Sequence, residues 1–511
     1  MAACLRCRTL KRKCEITGQD SVCDRCARSS SQCEWQSAPE PKRIKLAECR
    51  ISEEQVFAKM FRDNDQTRPQ FVCSTQPLAL LLSRDSILCF DGDAYGLFYP
   101  WRGGLRPNVE RDEDLIQFLD TKGAFRLPPI AEQRYLVSLF LDNLYPFYPV
   151  VNRNIIDNLH DVPLLLLNAL FLTAVRLDKR ISLHEVRPRL AEFFQRCKWL
   201  ELIENNKVVL IQLYLLLSLH EEGMEGMTSS KQYISRATNL CGELCITNLG
   251  ADSGENILEA SSGSSDQNYT KPLLRRIFWT ALCLDRIISA TSGREMSINR
   301  KDLLVDRIME SDFDDGPQQC SDYTVFSLWL SICEFVERIL CALYRPPQNR
   351  SVDPTITEEV NAWRPPSVVG ESYTACIAFL KVGHSYAQLL VLGRAIDSIS
   401  LMLCDEESLH SAESLLSQIH KCSEETLRLV DPQYINHNVI LVHAVVHVIA
   451  LLQLECKISP DAGKPEFVAY CSSLSRNSLR RLQSLRHYWW YAGTAQILCQ
   501  DLFDLNKRDA T

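Results

Sequence analysis

From about residue 130 onward, apolar residues recur with the spacing of helices. The strongest runs predict helices at 135–141, 164–177, 208–220, 233–242 and 274–286. Two prolines in 145–153 end the first of these, and the Ser- and Gly-rich segment 251–268 predicts an exposed loop. The longest apolar runs stop short of the roughly 18 residues that a membrane span needs. The pattern therefore predicts a large all-α domain over 129–511 and no membrane partner.

The residues before 129 lack this periodicity. Pro39 and Pro41 favour a linker over 37–62, in which a capping box at Ser52 predicts a short helix ending at residue 62. That helix covers about two turns, whereas a coiled-coil dimer needs about three to four heptads. Residues 63–128 contain scattered prolines and glycines, which predict an irregular connector.

Six cysteines lie within the first 33 residues: Cys4, Cys7, Cys14, Cys23, Cys26 and Cys33. The spacing C-x2-C-x6-C occurs twice, and the second copy follows the first at an offset of 19 residues. Zinc prefers four ligands in a tetrahedron, and thiolates suit it. Six thiolates can satisfy two zinc ions if two thiolates bridge both ions. The repeat indicates that the bridges are equivalent residues, one from each half.

A framework of three disulfides is the alternative for six closely spaced cysteines. The first residues, MAACLRC, lack the pattern of a secretory signal. The remaining 16 of the 22 cysteines have no regular spacing, which is typical of reduced, mostly buried thiols in a cytosolic or nuclear protein. We therefore expect a module over 1–36 that holds two Zn2+ per chain.

The residues between the ligands differ in charge between the two halves. Four basic residues separate Cys7 from Cys14, and one separates Cys26 from Cys33. Lys and Arg can donate to O6 and N7 of guanine in the major groove, so a metal-held helix with this basic run predicts DNA binding. A solvated run of charges is the other interpretation. The expected DNA contacts are Arg8, Lys11, Arg12, Lys13, Arg25 and Arg28.

Residues 4–33 resemble the zinc binuclear cluster of fungal transcription regulators, whose motif is close to C-x2-C-R-x-R-K-x-K-C. The resemblance implies that Cys4 and Cys23 are the bridging thiolates and that Lys11 reaches the bases of a CGG-type triplet. Leu10 stands where the family usually has Arg or Lys, so one polar contact is lost or replaced there.

Residues 135–300 resemble the middle homology domain of the same regulators. The matching positions are Arg275, Arg276, Trp279, Asp285, Arg286, Gly293, Arg294 and Ile298, with Glu295 in place of the usual Pro. Such a set could bind an anionic effector. In the alternative interpretation, Asp285 pairs with an arginine and Trp279 packs in the core.

The net charge of −8 is unevenly distributed. Residues 1–50 carry 11 Lys and Arg against 6 Asp and Glu, a net charge of +5, and the remainder carries −13. DNA affinity is therefore expected in the N-terminal module and not in the acidic body. The basic residues Lys42, Arg43 and Lys45 follow two prolines and are typical of a nuclear import signal, although a linker that steers toward phosphates has the same composition.

Other candidate chemistry is weaker. His443 and His447 lie four residues apart in an apolar run, a spacing that suits a shared metal or two core histidines. The sequence contains no Walker loop, dinucleotide fingerprint or Gly-x-Ser-x-Gly elbow, so we do not expect an enzyme.

Together these features predict a mainly α protein with a small N-terminal zinc binuclear cluster module, a linker and a large all-α regulatory domain. We expect a nuclear, sequence-specific transcription factor of RNA polymerase II genes that recognises CGG-type triplets in double-stranded DNA and contacts the transcription machinery. A homodimer, a heterodimer and a small-molecule effector are all compatible with the sequence. The alternative is a small-molecule-responsive sensor in which DNA contact is secondary.

Overall fold

The chain divides into two compact units, one of residues 1–50 with 127–130 and one of residues 51–126 with 131–511. The computed structural model describes Cys4, Cys7, Cys14, 23–29, Cys33, 49–50, 67–73, 96–102, 113–244, 246–248, 270–313, 319–346, Asp353, 355–365, 374–399, 406–430, 438–458 and 464–509. The predicted import segment at 42–45 and the predicted helix at 52–62 lie outside these residues.

Helices make up most of the described chain, which confirms the prediction of a mainly α fold. They are α1 (Asp24–Arg28), α2 (Glu113–Thr121), α3 (Ile130–Asn143), α4 (Leu164–Ala174), α5 (Leu183–Glu201), α6 (Lys207–Leu217), α7 (Gly226–Glu243), α8 (Lys271–Ser292), α9 (Gln319–Ile339), α10 (Ile356–Ala362), α11 (Thr374–Ile399), α12 (Glu406–Leu429), α13 (Ile440–Ile458), α14 (Pro465–Leu485) and α15 (Trp490–Asp509). The strands are β1 (Cys49–Arg50), β2 (Thr67–Cys73), β3 (Gly96–Arg102) and β4 (Arg126–Leu127). Short 3-10 helices occupy Arg153–Ile156, Leu159–Asp161, Val175–Leu177, Ile246–Asn248, Arg300–Asp302 and Glu310–Phe313, and a π-helix occupies Leu340–Tyr344.

Two helices lie at the centre of the larger unit. All 11 residues of α4 are buried, and α8 is buried without interruption from Leu273 to Ser289. A helix that is buried on every face belongs to the core and not to the surface. The continuous apolar run in α4 suits this position, whereas α8 brings charged residues into the core, and these need partners there.

The ends of α8 follow from local sequence. The Thr270 hydroxyl accepts from the N–H of Leu273 at 3.4 Å, and Pro272 occupies the first turn, where its missing N–H removes no helical bond. At the other end Gly293 adopts φ +66°, the left-handed conformation that terminates many helices. Only glycine reaches this region without a Cβ penalty.

The predicted helices agree with the observed ones in place but not in every length. The predicted helix at 164–177 is α4 continued by the 3-10 turn Val175–Leu177, and α7 begins at Gly226, ahead of the predicted residue 233. Residues 63–128 were predicted to be an irregular connector, yet α2 lies there and β2 pairs with β3 in an antiparallel register that sets Thr67 opposite Arg102. The sequence did not predict these elements, because α2 is only nine residues long and each of the two strands contains a proline.

One segment of α11, Ala375–Ile396, is long and apolar enough to cross a membrane by length and composition. The sequence survey of apolar runs missed it, because polar residues interrupt it. In the described part of the chain 72% of this window is buried within the protein, as in a core helix.

Candidate metal centre and the buried network of the helical domain

The six N-terminal cysteines converge on one point. Their Sγ atoms form two groups of four, within each of which every Sγ lies within 4.8 Å of the others. The groups are Cys4, Cys7, Cys14 and Cys23, and Cys4, Cys23, Cys26 and Cys33. Cys4 and Cys23 belong to both groups. Each group could hold one metal ion, so the two ions would share these two thiols.

The distances between the thiols suit zinc. Cys4 Sγ lies 3.7 Å from Cys23 Sγ and 3.7 Å from Cys26 Sγ, and Cys7 Sγ lies 3.7 Å from Cys23 Sγ. A tetrahedron with Zn–S bonds of 2.3 Å has an S···S edge of about 3.8 Å. A donor set made only of thiols also favours zinc over the hard cations that prefer oxygen.

Backbone donors repeat between the two halves. The N–H of Cys4 donates to Cys14 Sγ at 3.4 Å, and the N–H of Cys23 donates to Cys33 Sγ at 3.3 Å. The N–H of Cys26 donates to Cys23 Sγ at 3.5 Å and lowers the pKa of Cys23 to about 6. The equivalent bond from Cys7 to Cys4 lowers the pKa of Cys4. A backbone N–H thus favours the thiolate at all four of these cysteines, and among them the pKa is lowered at the two shared thiols, Cys4 and Cys23.

The second half also carries α1, which starts directly after Cys23. The N–H of Ala27 donates to the carbonyl of Cys23 at 3.0 Å and so ties the helix to a shared thiol. Arg25 and Arg28 lie on this helix, and Arg28 is exposed. The other expected DNA contacts, Arg8, Lys11, Arg12 and Lys13, lie outside the described residues, as do Lys42, Arg43 and Lys45.

In the larger unit, Asp285 is the hub of a buried network. Its Oδ1 accepts from Lys231 Nζ at 2.9 Å, and its Oδ2 accepts from Arg286 Nη1 at 2.7 Å. The backbone N–H groups of Ser297 and Ile298 also donate to this carboxylate, at 2.8 Å and 3.1 Å. The carboxylate thus joins α7, α8 and the turn beyond Gly293. Sequence analysis missed Lys231, because a lysine in an amphipathic helix is usually solvated.

The two preceding arginines of α8 are also paired inside the protein. Arg275 Nη1 donates to Asp312 at 2.7 Å, and both side chains are buried. Arg276 donates to the Tyr145 hydroxyl at 2.7 Å and to Asn152. Trp279 Nε1 donates to the carbonyl of Asp306 at 2.9 Å and packs in the core. These contacts agree with the structural interpretation of the signature and leave neither guanidinium exposed to an anionic effector.

The two histidines of α13 pack in the core. The ring of His443 stacks on Tyr491 with centroids 4.7 Å apart, and His447 Nδ1 lies 3.0 Å from the His443 carbonyl. Burial lowers the pKa of His443 to about 3, so the ring is neutral. Across the part of the chain that the structure describes, the two cysteine groups are the sets of His, Cys, Asp or Glu that could hold a metal ion.

Comparison with known proteins places this network within a family domain. Residues 137–344, which run from α3 through α9, match the family model described as the fungal specific transcription factor domain. Over this part, about two fifths of its length, the chain is similar to the fungal specific transcription factor domain. The network around Asp285 therefore lies inside the matched range, and the resemblance of residues 135–300 to the middle homology domain is confirmed.

Three curated relatives share longer stretches. The chain is 28% identical over 276 residues to Cutinase transcription factor 1 alpha of Fusarium vanettenii, covering 50% of this chain and 29% of that protein. It is 25% identical over 449 residues to the Acetamidase regulatory protein of Aspergillus fumigatus, covering 79% of this chain and 54% of that protein. With the protein of the same name from Aspergillus oryzae the identity is 23% over 442 residues, covering 78% and 53%. The matches thus span between 29% and 54% of the relatives' lengths.

Proposed function

We propose that the chain is a nuclear, sequence-specific DNA-binding transcription factor that regulates RNA polymerase II genes. The observation that carries the proposal is the pair of four-thiol groups that share Cys4 and Cys23. The family match over residues 137–344 also supports it, as do the relatives, of which one is named a transcription factor and two are named regulatory proteins. The proposal involves no catalytic activity.

The six cysteines would hold two Zn2+, whose role when bound is structural. Zinc ions cross-link chain segments that are too short to form a core of their own. The chain itself contributes four backbone N–H···S bonds that orient the thiols. It also supplies α1, which is tied to the shared Cys23. These bonds lie within each half, and the shared thiols Cys4 and Cys23 would join the two halves through the zinc ions.

Base recognition would come from the first half of the module, where four basic residues lie between Cys7 and Cys14. Lys11 is the residue proposed to donate to the guanines of a CGG-type triplet. Arg28, which is exposed on α1, would contact phosphate, which adds affinity without sequence preference. The charge of −13 on residues 51–511 would keep the rest of the chain away from the duplex.

Selection of DNA sites from a random pool by the zinc-loaded full-length chain tests the proposal. We expect enrichment of CGG-type triplets. Two triplets at a constant spacing would identify a homodimer, and one triplet would identify a monomer or the half-site of a heterodimer. No enrichment, with two zinc ions per chain measured by atomic emission, would contradict the proposal.

Lys11→Ala tests the base contact separately from the fold. We expect a loss of about 1–3 kcal/mol on the selected site and relaxed preference at the contacted base pair, while the zinc content stays unchanged. Lys179→Ala, at an exposed position of the helical unit, is the matched control and should leave binding unchanged. An equal loss on every DNA sequence would show that Lys11 contacts phosphate instead of a base.

A further inference from the structure

A groove of ≈ 460 Å³ lies on the larger unit, between the start of α5, the end of α14 and the first turns of α15. Two arginines and two histidines line it: His184 and Arg187 from α5, and Arg486 and His487 from the connection between α14 and α15. Neither the zinc module nor the network around Asp285 contributes to this lining. The groove is therefore a separate feature that the proposed DNA recognition does not use.

The groove concentrates positive charge on a chain whose net charge is −8. Arg187 is partly neutralised, because its guanidinium donates to Glu222 at 2.8 Å. Arg486 is exposed, and within the described residues its guanidinium has no ion-pair or hydrogen-bond partner. An exposed guanidinium in a concave site offers planar, paired donors that match a carboxylate or a phosphate.

Apart from Thr494 and Gln496, the remaining walls are apolar. Trp490 and Ile497 are seven residues, or two turns, apart on α15 and therefore lie on the same face of that helix. Leu183, in the first turn of α5, lines the groove with them. Leu183 is 49% exposed and Ile497 is 64% exposed, so both offer apolar surface to a ligand. Gly493 lies between them, and a Cβ built there would touch only Arg486 Cβ, at 3.7 Å. The glycine thus keeps the middle of the groove open.

The buried Arg176 contacts the connection that carries Arg486 and His487. Arg176, buried in the 3-10 turn that follows α4, donates from Nε to the carbonyl of Tyr488 at 3.2 Å. Its guanidinium also lies 4.1 Å from the ring centroid of the buried Trp489. Both contacts fix the backbone between the two groove residues and Trp490. A site with a fixed frame binds at a lower entropic cost.

We propose that this groove binds a small amphipathic anion. The carboxylate or phosphate head pairs with Arg486 beside His184 and His487, and the apolar body lies against Trp490 and Ile497. Mixed chemistry of this kind, with apolar walls and a few convergent polar groups, is typical of small-molecule sites of this volume. The inference goes beyond DNA recognition and would give the helical domain a ligand of its own.

Calorimetric titration of the zinc-loaded full-length chain tests the proposal with five probes. Decanoate and decyl phosphate carry both parts and differ in the head, acetate and inorganic phosphate carry the head alone, and 1-decanol carries the body alone. We expect saturable binding of one of the two amphipathic anions and much weaker binding of the other three probes. Equal affinity for 1-decanol, or no binding of either amphipathic anion, would overturn the proposal.

Two variants place the binding in this groove. Arg486→Gln should weaken binding of the preferred anion about tenfold, because one charged hydrogen-bonding partner is lost. Gly493→Leu should abolish binding by filling the groove, with circular dichroism as the check on folding. Arg476→Gln, an exposed arginine earlier on α14, is the matched control and should bind as the parent does.

Unchanged affinity in both Arg486→Gln and Gly493→Leu would place the anion elsewhere and overturn the proposal. The outcome is independent of the proposed function. A chain that binds the anion but selects no DNA site would support the groove and contradict the DNA-binding proposal, and the reverse result would do the opposite.

Discussion

Lys231 on α7 donates from Nζ to Asp285 on α8 at 2.9 Å, and both side chains are buried. Asp285 also accepts from the fully buried Arg286, whose Nε donates in addition to Glu337 at 3.1 Å, so Asp285 is the carboxylate that the two cations share. Lys231 in turn donates to the hydroxyls of Ser289 and Ser297 at 3.0 Å each. The arrangement ties α7 to both ends of the turn that follows α8.

Asp285→Asn should lower the free energy of unfolding by about 3–5 kcal/mol, because it leaves the buried Lys231 without its counter-charge and Arg286 with Glu337 alone. Chemical denaturation followed by circular dichroism measures the change. Glu243→Gln is the matched control at the surface, since Glu243 at the end of α7 pairs with Lys207 of α6 at 2.8 Å and both are about half exposed. That control should change stability by about 1 kcal/mol or less. A similar, small effect from both variants would contradict a structural role for Asp285.

Gly293→Ala and Gly242→Ala should change stability in opposite directions. Gly293 has φ +66°, so a Cβ there costs about 1 kcal/mol although nothing lies within 4 Å of it. Gly242 lies in α7 with no positive φ and the same open space, so alanine there should add about 0.5–1 kcal/mol. Thermal denaturation of the two variants side by side checks the pair. Equal shifts of the same sign would show that the left-handed cap is not what Gly293 provides.

Glu221 should make the stability of the protein fall as the pH rises. Burial raises the pKa of this carboxyl to about 7 from its usual 4.5, although Arg176 opposes the shift. Between these two values the unfolded chain has released the proton and the folded chain has not, so the contribution of Glu221 to stability declines across that window and is constant above it. Below the window both states are protonated and the group contributes no difference.

Glu221→Gln should therefore be more stable than the parent above about pH 7, by on the order of 3 kcal/mol, and equally stable near pH 4. Urea denaturation at several pH values measures the difference. Glu225→Gln, an exposed neighbour, should follow the parent at every pH. A Glu221→Gln curve parallel to that of the parent would contradict the raised pKa.

Loss of a shared thiol should differ from loss of a terminal one. Cys23 belongs to both four-thiol groups and Cys14 to one. Cys23→Ala therefore removes a ligand from both proposed zinc ions, and Cys14→Ala removes a ligand from only one. Competition with a chromogenic zinc chelator should release both ions from the first variant at concentrations that leave one ion on the second, and both variants should lose DNA binding.

Cys320→Ser, at an exposed cysteine of the helical unit, should keep both ions and normal DNA binding. Retention of two ions with parental DNA affinity in Cys14→Ala would exclude a zinc cluster that binds DNA. Identical release curves for Cys23→Ala and Cys14→Ala would contradict the sharing of Cys23.

Sequence patterns predicted much of this protein because their signals are local. The six cysteines lie within 33 residues, and their repeated spacing already required two shared ligands for two zinc ions. Helical periodicity located α4, α6 and the buried segment of α8. A helix lets a long buried run of residues form all its backbone hydrogen bonds locally. These features depend on chain geometry over a few turns and need no knowledge of distant residues.

The tertiary structure alone decided the partners of the charged residues. Lys231 and Asp285 are 54 residues apart, and Arg276 and Tyr145 are 131 apart. No local spacing encodes such pairs, because a lysine or an arginine in an amphipathic helix has the same pattern whether it faces water or a buried carboxylate. The groove is the extreme case, since residues near 184 and near 487 meet only when the helices pack. The sequence by itself thus determined the six-cysteine repeat and the helical class, and the packing of distant helices decided which side chains are buried and paired and which line the groove.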